Sequence, residues 1–163
     1  MKGLGIDIEV SDEKEVCNEP VGNLIVRGHS NIAATQEQNL FSGSVIANMI
    51  DEIPILAVAG TQLAGGLEIR NASELRIKES DRIVAIVENL RRMNASVEEF
   101  DDGFRVEKSD LKGANVDSFG DHRIAMAFAI AGLLAEGETE ILGAESVAVS
   151  FPGFFDTLAG VIY

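Results

Sequence analysis

One cysteine, two histidines and thirteen basic residues are what this sequence has little of, and each shortage closes a class of function. Cys17 alone cannot make an internal disulfide or a cysteine-based zinc site, and the histidines stand too far apart for zinc-ligand spacing. The expectation is a reduced, cytoplasmic protein. Thirteen Lys and Arg face 27 Asp and Glu, a formal net charge of −14. That sign opposes polyanions wherever basic residues are not clustered, which argues against non-specific nucleic-acid binding and against attachment to an anionic membrane. No apolar run approaches the ~20 residues of a membrane-spanning helix. The N-terminus has neither the apolar stretch of a signal peptide nor the Arg- and Ser-rich composition of a transit peptide. What is present, 46% apolar residues in 163, suffices for the core of one ordinary domain.

Hydrophobic periodicity gives the elements. Leu4, Ile6, Ile8 and Val10 alternate with Gly5, Asp7 and Glu9 as a half-buried strand, and a chain that opens mid-sheet reads as a piece of a larger fold. Ser11 to Gly22 reads as a polar loop, and Asn23 to Arg27 as a second, antiparallel strand. Phe41, Val45, Ile46, Met49 and Ile50 fall on helical spacing, Pro54 suits the first turn of a further helix, and Ile55 to Leu63 is uncharged, as in a helix packed on several sides. Leu67 to Arg70 reads as a strand, and Ser80-Asp81-Arg82 opens a helix with Ile83, Ile86, Val87, Leu90 and Met93 along one stripe. Asp101-Asp102-Gly103 between two alternating runs marks a hairpin. A second apolar helix runs from Asp121 to near Gly137, a strand from Thr139 to Leu142, and a short terminal helix from Pro152. Helices alternating with strands and a hairpin place the chain in the α/β or α+β class.

The sequence also repeats at an offset of 72 positions. Ala57-Val58-Ala59-Gly60 lies on Ala129-Ile130-Ala131-Gly132, Gly65 on Gly137, Glu68-Ile69 on Glu140-Ile141, and Leu75 and Ile77 on Val147 and Val149. The match continues from helix through glycine into strand, so one supersecondary unit occurs twice.

Candidate chemistry sits in two basic segments, Arg76 to Ile83 and Gly120 to Ile124. Arg82 and Arg123 both fall in a first helical turn, where a cation opposes the helix dipole by roughly 0.3–1 kcal/mol. An anion bound there by free N–H groups and a guanidinium fork would resolve the conflict; local pairing with Asp81 and Asp121 as ordinary caps would also do so. Asp51 heads the first apolar helix as Asp121 heads the second, and could be only an N-cap. Glu79, flanked by cations, is either part of a solvated charge cluster or a tuned proton donor. His122 is a surface or capping residue unless the neighbouring anion site exists.

Glu74-Leu75-Arg76-Ile77-Lys78-Glu79-Ser80-Asp81-Arg82-Ile83 closely resembles a signature of the 5-enolpyruvylshikimate-3-phosphate (EPSP) synthase family. Gly120 to Ala127 resembles a second signature and Ser150-Phe151-Pro152-Gly153-Phe154-Phe155 the one near the chain end; Glu19 to Val26 and Ile50 to Pro54 fit as well. Five ordered segments are far more specific than one short motif. The resemblance implies a fold of repeated βαβαββ units, the inside-out α/β barrel of enolpyruvyl transferases, with helix N-termini directed at an interdomain cleft. The chain would then be a partial C-terminal domain of about two units, approximately 44–110 and 111–163 plus strands from 1–30. The N-terminal domain, with its phosphate loops, would be absent.

The family consists of transferases of the shikimate pathway, which leads to chorismate and the aromatic amino acids, and it is the target of the herbicide glyphosate. As the resemblance implies, the carboxyvinyl group of phosphoenolpyruvate passes to the 5-hydroxyl of shikimate 3-phosphate, with release of phosphate and no metal or cofactor. Carried over by motif, Asp51 would be the base near the 5-hydroxyl and Glu79 the proton-transfer group at the methylene carbon. Lys78 would lie close to both, and Arg82, Arg123 and His122 would grip phosphoenolpyruvate. Val149 stands where some members have a lysine, and Glu74 where some have an asparagine, which bears on affinity and inhibitor sensitivity. The expected partners are the two substrates, the missing N-terminal domain, and a second copy through exposed apolar surface; the chain alone should have essentially no turnover. The alternatives are a UDP-N-acetylglucosamine enolpyruvyl transferase, against which the Lys-Glu-Ser-Asp-Arg and Asp-His-Arg segments argue, and a non-catalytic module that binds a phosphorylated metabolite or a partner.

Overall fold

The computed structural model describes residues 7–27 and 39–162, so the start of the strand expected from Leu4 lies outside the described residues. Strands β1 (Asp7–Val16) and β2 (Glu19–Arg27) pair antiparallel, with Asp7 opposite Arg27 and Val16 opposite Glu19. The antiparallel pairing agrees with the sequence reading, but the polar loop expected over Ser11 to Gly22 is almost all strand. Only Cys17 and Asn18 form the connection, with φ of 53° and 66°, the left-handed pair that a two-residue hairpin turn requires. The two strands run further than the sequence reading gave them because the hairpin is exposed along most of its length, so no buried face imposes an alternation on the polar residues from Ser11 to Gly22. Asp12, at φ 53°, also breaks the register between Ser11 and Lys14, and Asn23 Nδ2 donates to Asp12 Oδ2 at 2.8 Å there.

The body of the molecule contains two parallel strand–helix–strand crossovers. In the first, β3 (Leu40–Phe41) is followed by α1 (Val45–Met49), α2 (Ile53–Gly60) and β4 (Leu67–Ile69), which pairs parallel with β3. Phe41, expected on a helical stripe, is therefore in a strand, and its carbonyl accepts from the Arg70 N–H at 3.0 Å. A 3₁₀ segment (Ser73–Ile77), α3 (Arg82–Arg92), β5 (Val97–Phe100) and β6 (Gly103–Val106) follow. The sheet order is β3-β4-β6-β5, and Asp101-Asp102 makes the expected turn. In the second crossover, β7 (Asn115–Asp117) leads through α4 (His122–Leu134) to β8 (Glu140–Leu142), again parallel. A 3₁₀ segment (Ala144–Val149) and α5 (Phe154–Ile162) complete the chain.

The internal repeat is visible as structure: at the 72-residue offset α2 falls inside α4, β4 onto β8 within a residue, and the first 3₁₀ segment within the second. Helices α2 and α4 stop at Gly60 and Leu134, short of the Leu63 and Gly137 expected, and α5 begins at Phe154 rather than at Pro152. At α2 the last turn is closed locally: the Val58 carbonyl accepts from the Thr61 N–H at 3.1 Å and from Thr61 Oγ1 at 2.7 Å. β7 has one apolar side chain, Val116, and no sequence signature; Asn89 of α3 holds it by donating to the Asp117 carbonyl at 2.7 Å and accepting from the Asp117 N–H at 2.9 Å.

The core lies where α2, α3 and α4 pack together over the sheet. Ile53, Ala57, Ile83, Ile86, Leu90, Phe104 and Phe128 are fully buried in one cluster. Gly103 has a packing reason, since a Cβ there would strike the Ile69 carbonyl across the β4–β6 pair. None of the helices of the described residues is long and apolar enough to cross a membrane.

Candidate functional site

The N-terminal ends of α2, α3 and α4 converge, and each brings charged residues to one place. At α3, Asp81 Oδ1 accepts from the Val84 N–H at 3.0 Å; at α4, Asp121 Oδ1 accepts from the Arg123 N–H at 2.8 Å. Each is an N-cap worth about 1 kcal/mol. The approach to α4 is a tight reversal in which Phe119 and Gly120 both have positive φ (53° and 74°). It is held by bonds from the Phe119 N–H to Asp117 Oδ1 (2.8 Å) and from the Gly120 N–H to Ser118 Oγ (3.1 Å). The left-handed conformation of Phe119, uncommon for a bulky side chain, turns the chain sharply into α4.

Asp51 departs from the expected N-cap role. It sits in the turn before α2, Glu52 occupies the cap position, and no side chain caps that helix. Both Asp51 oxygens are engaged elsewhere: Oδ1 accepts from Arg82 Nη1 at 2.9 Å and Oδ2 pairs with Arg123 Nη2 at 3.0 Å. Burial works to raise the Asp51 pKa, but Arg82, Arg123 and Lys78 outweigh it and hold the carboxyl below its ordinary value.

Arg82 is the hub. Its side chain is 1% exposed, and besides Asp51 it donates from Nε to Asp121 Oδ2 (2.7 Å) and from Nη2 to Glu79 Oε2 (2.7 Å). Burial opposes its charge, and the hydrogen bonds to Asp121 and Asp51 overcome this, so its pKa lies above the ordinary guanidinium value. Asp121 is wholly buried, and Ser80 Oγ also reaches its Oδ2, at 3.4 Å. Local pairing and cross-pairing thus coexist: Asp121 caps its own helix with one oxygen and binds the arginine of the other segment with the second.

The structure brings all the predicted site residues to this region except that Lys78 and His122 stand at its edge. Lys78 Nζ donates to Glu74 Oε1 at 2.8 Å, so the glutamate noted as a departure from the family pattern is the partner of Lys78. His122 is the first residue of α4 and half-buried. Arg123 is one-third exposed and also donates to the Asp51 carbonyl at 3.2 Å. A cleft of about 300 Å³ opens beside it, with Asp51 and Arg123 at its polar end and Ile55, Met126, Ile130 and Phe154 as apolar lining. Phe154 connects the motif near the chain end to the site, whereas Val149 is 84% exposed. Sequence reasoning missed Asp121 as the buried partner of Arg82, and Arg76 as a partner of Asp81 at 3.0 Å. An aspartate immediately before each arginine-bearing helix was the available signal, but not which arginine it would meet.

This cluster has the donors for a carboxylate or phosphate in two guanidinium groups and a lysine, and carboxylates able to move protons in Asp51 and Glu79. The sequence profile of EPSP synthase (3-phosphoshikimate 1-carboxyvinyltransferase) matches residues 2–158. A 3-phosphoshikimate 1-carboxyvinyltransferase of Alkaliphilus oremlandii is 48% identical over 159 residues, covering 97% of this chain and 36% of the relative. That of Koribacter versatilis is 59% identical over 122 residues, 74% of this chain and 29% of the relative. The solved EPSP synthase of Acinetobacter baumannii superposes with a TM-score of 0.80 at 33% identity, covering 95% of this chain and 36% of that one. The chain spans about a third of the length of these proteins. With its motifs in order, its fold shared and nearly all of its residues matched, the chain belongs to the EPSP synthase family.

Proposed function

We propose that this chain is a partial C-terminal domain, about two repeat units, that supplies half of the active site of a 3-phosphoshikimate 1-carboxyvinyltransferase. The observation that carries this reading is the Arg82 guanidinium, which joins Asp51, Glu79 and Asp121 from three chain segments into one site beside Arg123. In the reaction the 5-hydroxyl oxygen of shikimate 3-phosphate bonds to C2 of phosphoenolpyruvate, the hydroxyl proton leaves, and a proton adds to C3. The tetrahedral intermediate then breaks its C2–O bond to phosphate and loses a proton from C3, restoring the double bond and releasing phosphate.

Asp51 takes the hydroxyl proton and Glu79 delivers and removes the proton at C3. Asp51 is ionised at neutral pH, as a base must be, yet its two guanidinium partners make it a weak one. Its basicity rises when the anionic substrate draws Arg82 and Arg123 to itself. The substrate carboxylate takes the Nη2 donor of Arg82 from Glu79, carboxylate for carboxylate, which frees Glu79 for proton transfer. Lys78, Arg123 and His122 face the phosphate charge that develops on the leaving group. One free, exposed cysteine is in keeping with a cytoplasmic setting. Leu24 and Val26, exposed on β2, offer apolar surface to the remainder of the enzyme or to a second copy.

The test is a chimera in which this chain replaces the matching stretch of the Alkaliphilus oremlandii relative. Phosphate release dependent on both substrates, and lost in Asp51→Ala and Glu79→Gln, is the expected result. A folded chimera that releases no phosphate refutes the reading.

A further inference from the structure

Arg76 takes no part in the ring of groups around Arg82. Its guanidinium faces the turn between β5 and β6, where Nε donates to the Asp101 carbonyl (2.8 Å) and Nη2 to the Phe100 carbonyl (2.7 Å) and Glu99 Oε1 (3.0 Å). The remaining nitrogen, Nη1, donates to Asp81 Oδ2 at 3.0 Å, while the other oxygen of Asp81 caps α3. The chain from 76 to 81 is therefore an arch closed at its base by an ion pair, with Lys78 and Glu79 on the arch and Arg82 just beyond it. The same turn holds the approach to the arch, since Asp102 accepts from the Ala72 N–H through its carbonyl (2.8 Å) and from the Asn71 N–H through Oδ2 (2.9 Å).

We infer that Arg76 is a positioning residue: it closes the 76–81 arch, anchors it to the β5–β6 turn, and so fixes where Lys78 and Glu79 stand relative to Arg82 and Asp51. The kinetic part of this inference rests on the transferase reading above. Four acceptors arranged around one planar fork are a task for arginine, which a lysine with one compact ammonium cannot perform. An arch freed at its base lets Glu79 drift, and displacement by about 1 Å from a productive geometry is enough to cost on the order of 100-fold in rate.

Two measurements test it. In the chimera, Arg76→Gln is expected to lower kcat at least tenfold, with Arg76→Lys intermediate. The same Arg76→Gln change in a Glu79→Asp background, which keeps a carboxylate and residual turnover, is expected to cost at most a third of that loss, because the carboxylate that the arch positions is already out of place. Equal losses in both backgrounds, or a kcat within threefold of the parent, overturn the inference. In this chain by itself, backbone heteronuclear NOEs at residues 77–80 are expected to fall in Arg76→Gln, with α4 unchanged as an internal control of folding. Unchanged values at 77–80 overturn the inference on their own; should Arg76→Gln fail to fold, the same comparison is made with Arg76→Lys. A parent chimera without turnover refutes only the transferase reading, and the NOE comparison then decides the role of Arg76.

Discussion

Replacing the buried Asp121 by alanine should destabilise this chain far more than removal of any one exposed carboxylate. The substitution deletes the carboxylate that receives Arg82 Nε at 2.7 Å and the cap on the Arg123 N–H at 2.8 Å, both at a side chain with no exposed surface. Breaking a buried ion pair costs about 3–5 kcal/mol, because the surviving charge is left without compensation. The lower end applies, since Asp51 and Glu79 remain on the same guanidinium. Loss of the cap adds about 1 kcal/mol, for a total of about 4 kcal/mol against the 5–15 kcal/mol that hold a typical domain folded. For a chain of this size that is a drop in Tm of roughly 8–16 °C. Thermal and urea unfolding followed by far-ultraviolet circular dichroism would measure it. Arg82→Met alone should be comparably damaging, while Arg82→Met with Asp121→Leu should recover most of the loss, because an apolar pair leaves no buried charge. The expected coupling energy is at least about 2 kcal/mol. A Tm for Asp121→Ala within 3 °C of the parent, or strictly additive single effects, would refute the argument that this pair is buried and mutually dependent.

Three further outcomes are expected. In the chimera, Arg123→Ala should raise the KM for phosphoenolpyruvate about tenfold or more with the fold intact, as steady-state kinetics would show; an unchanged KM would remove Arg123 from the anion site. Asp51 has a carboxyl pKa lowered on folding, so the stability it contributes is present above its unfolded value near 4 and is lost as pH falls through the lower, folded value. Asp51→Asn should therefore flatten the acid limb of stability below about pH 4; the effect is small because the side chain is 42% exposed, and urea midpoints at pH 7, 4 and 3 would reveal it. Gly103→Ala should cost about 1–3 kcal/mol by forcing β6 away from the Ile69 carbonyl, whereas Gly160→Ala, with open space around it, should leave the Tm nearly unchanged.

Helices α2, α3 and α4, strand β4 and the β5–β6 hairpin were legible in the sequence because each carries its own period or turn signal over a few adjacent residues. So was the 72-residue repeat, which reappears as two parallel crossovers. The β1–β2 hairpin was half legible, since its exposed, mostly polar residues from Ser11 to Gly22 show no alternation, and β7 was not legible, having one apolar side chain and a place set by pairing with β8 and by Asn89 of α3. The site residues were named by their motifs, and the clash of Arg82 and Arg123 with the helix dipole was readable without any structure.

What the residues alone determined, then, was local: which segments are helix or strand, which two helices begin with an arginine, and that the chain repeats. Only the tertiary structure decided that Asp51 reaches Arg82 rather than capping α2, that Asp121 crosses 39 positions to the other arginine, and that Arg76 fastens the Lys78–Glu79 arch to a remote turn. Periodicity and capping act over one or two helical turns and are written into neighbouring residues. The partner of a buried charge is chosen by whichever opposite charge the packed core delivers within 3 Å, and that choice exists only once the helices have come together.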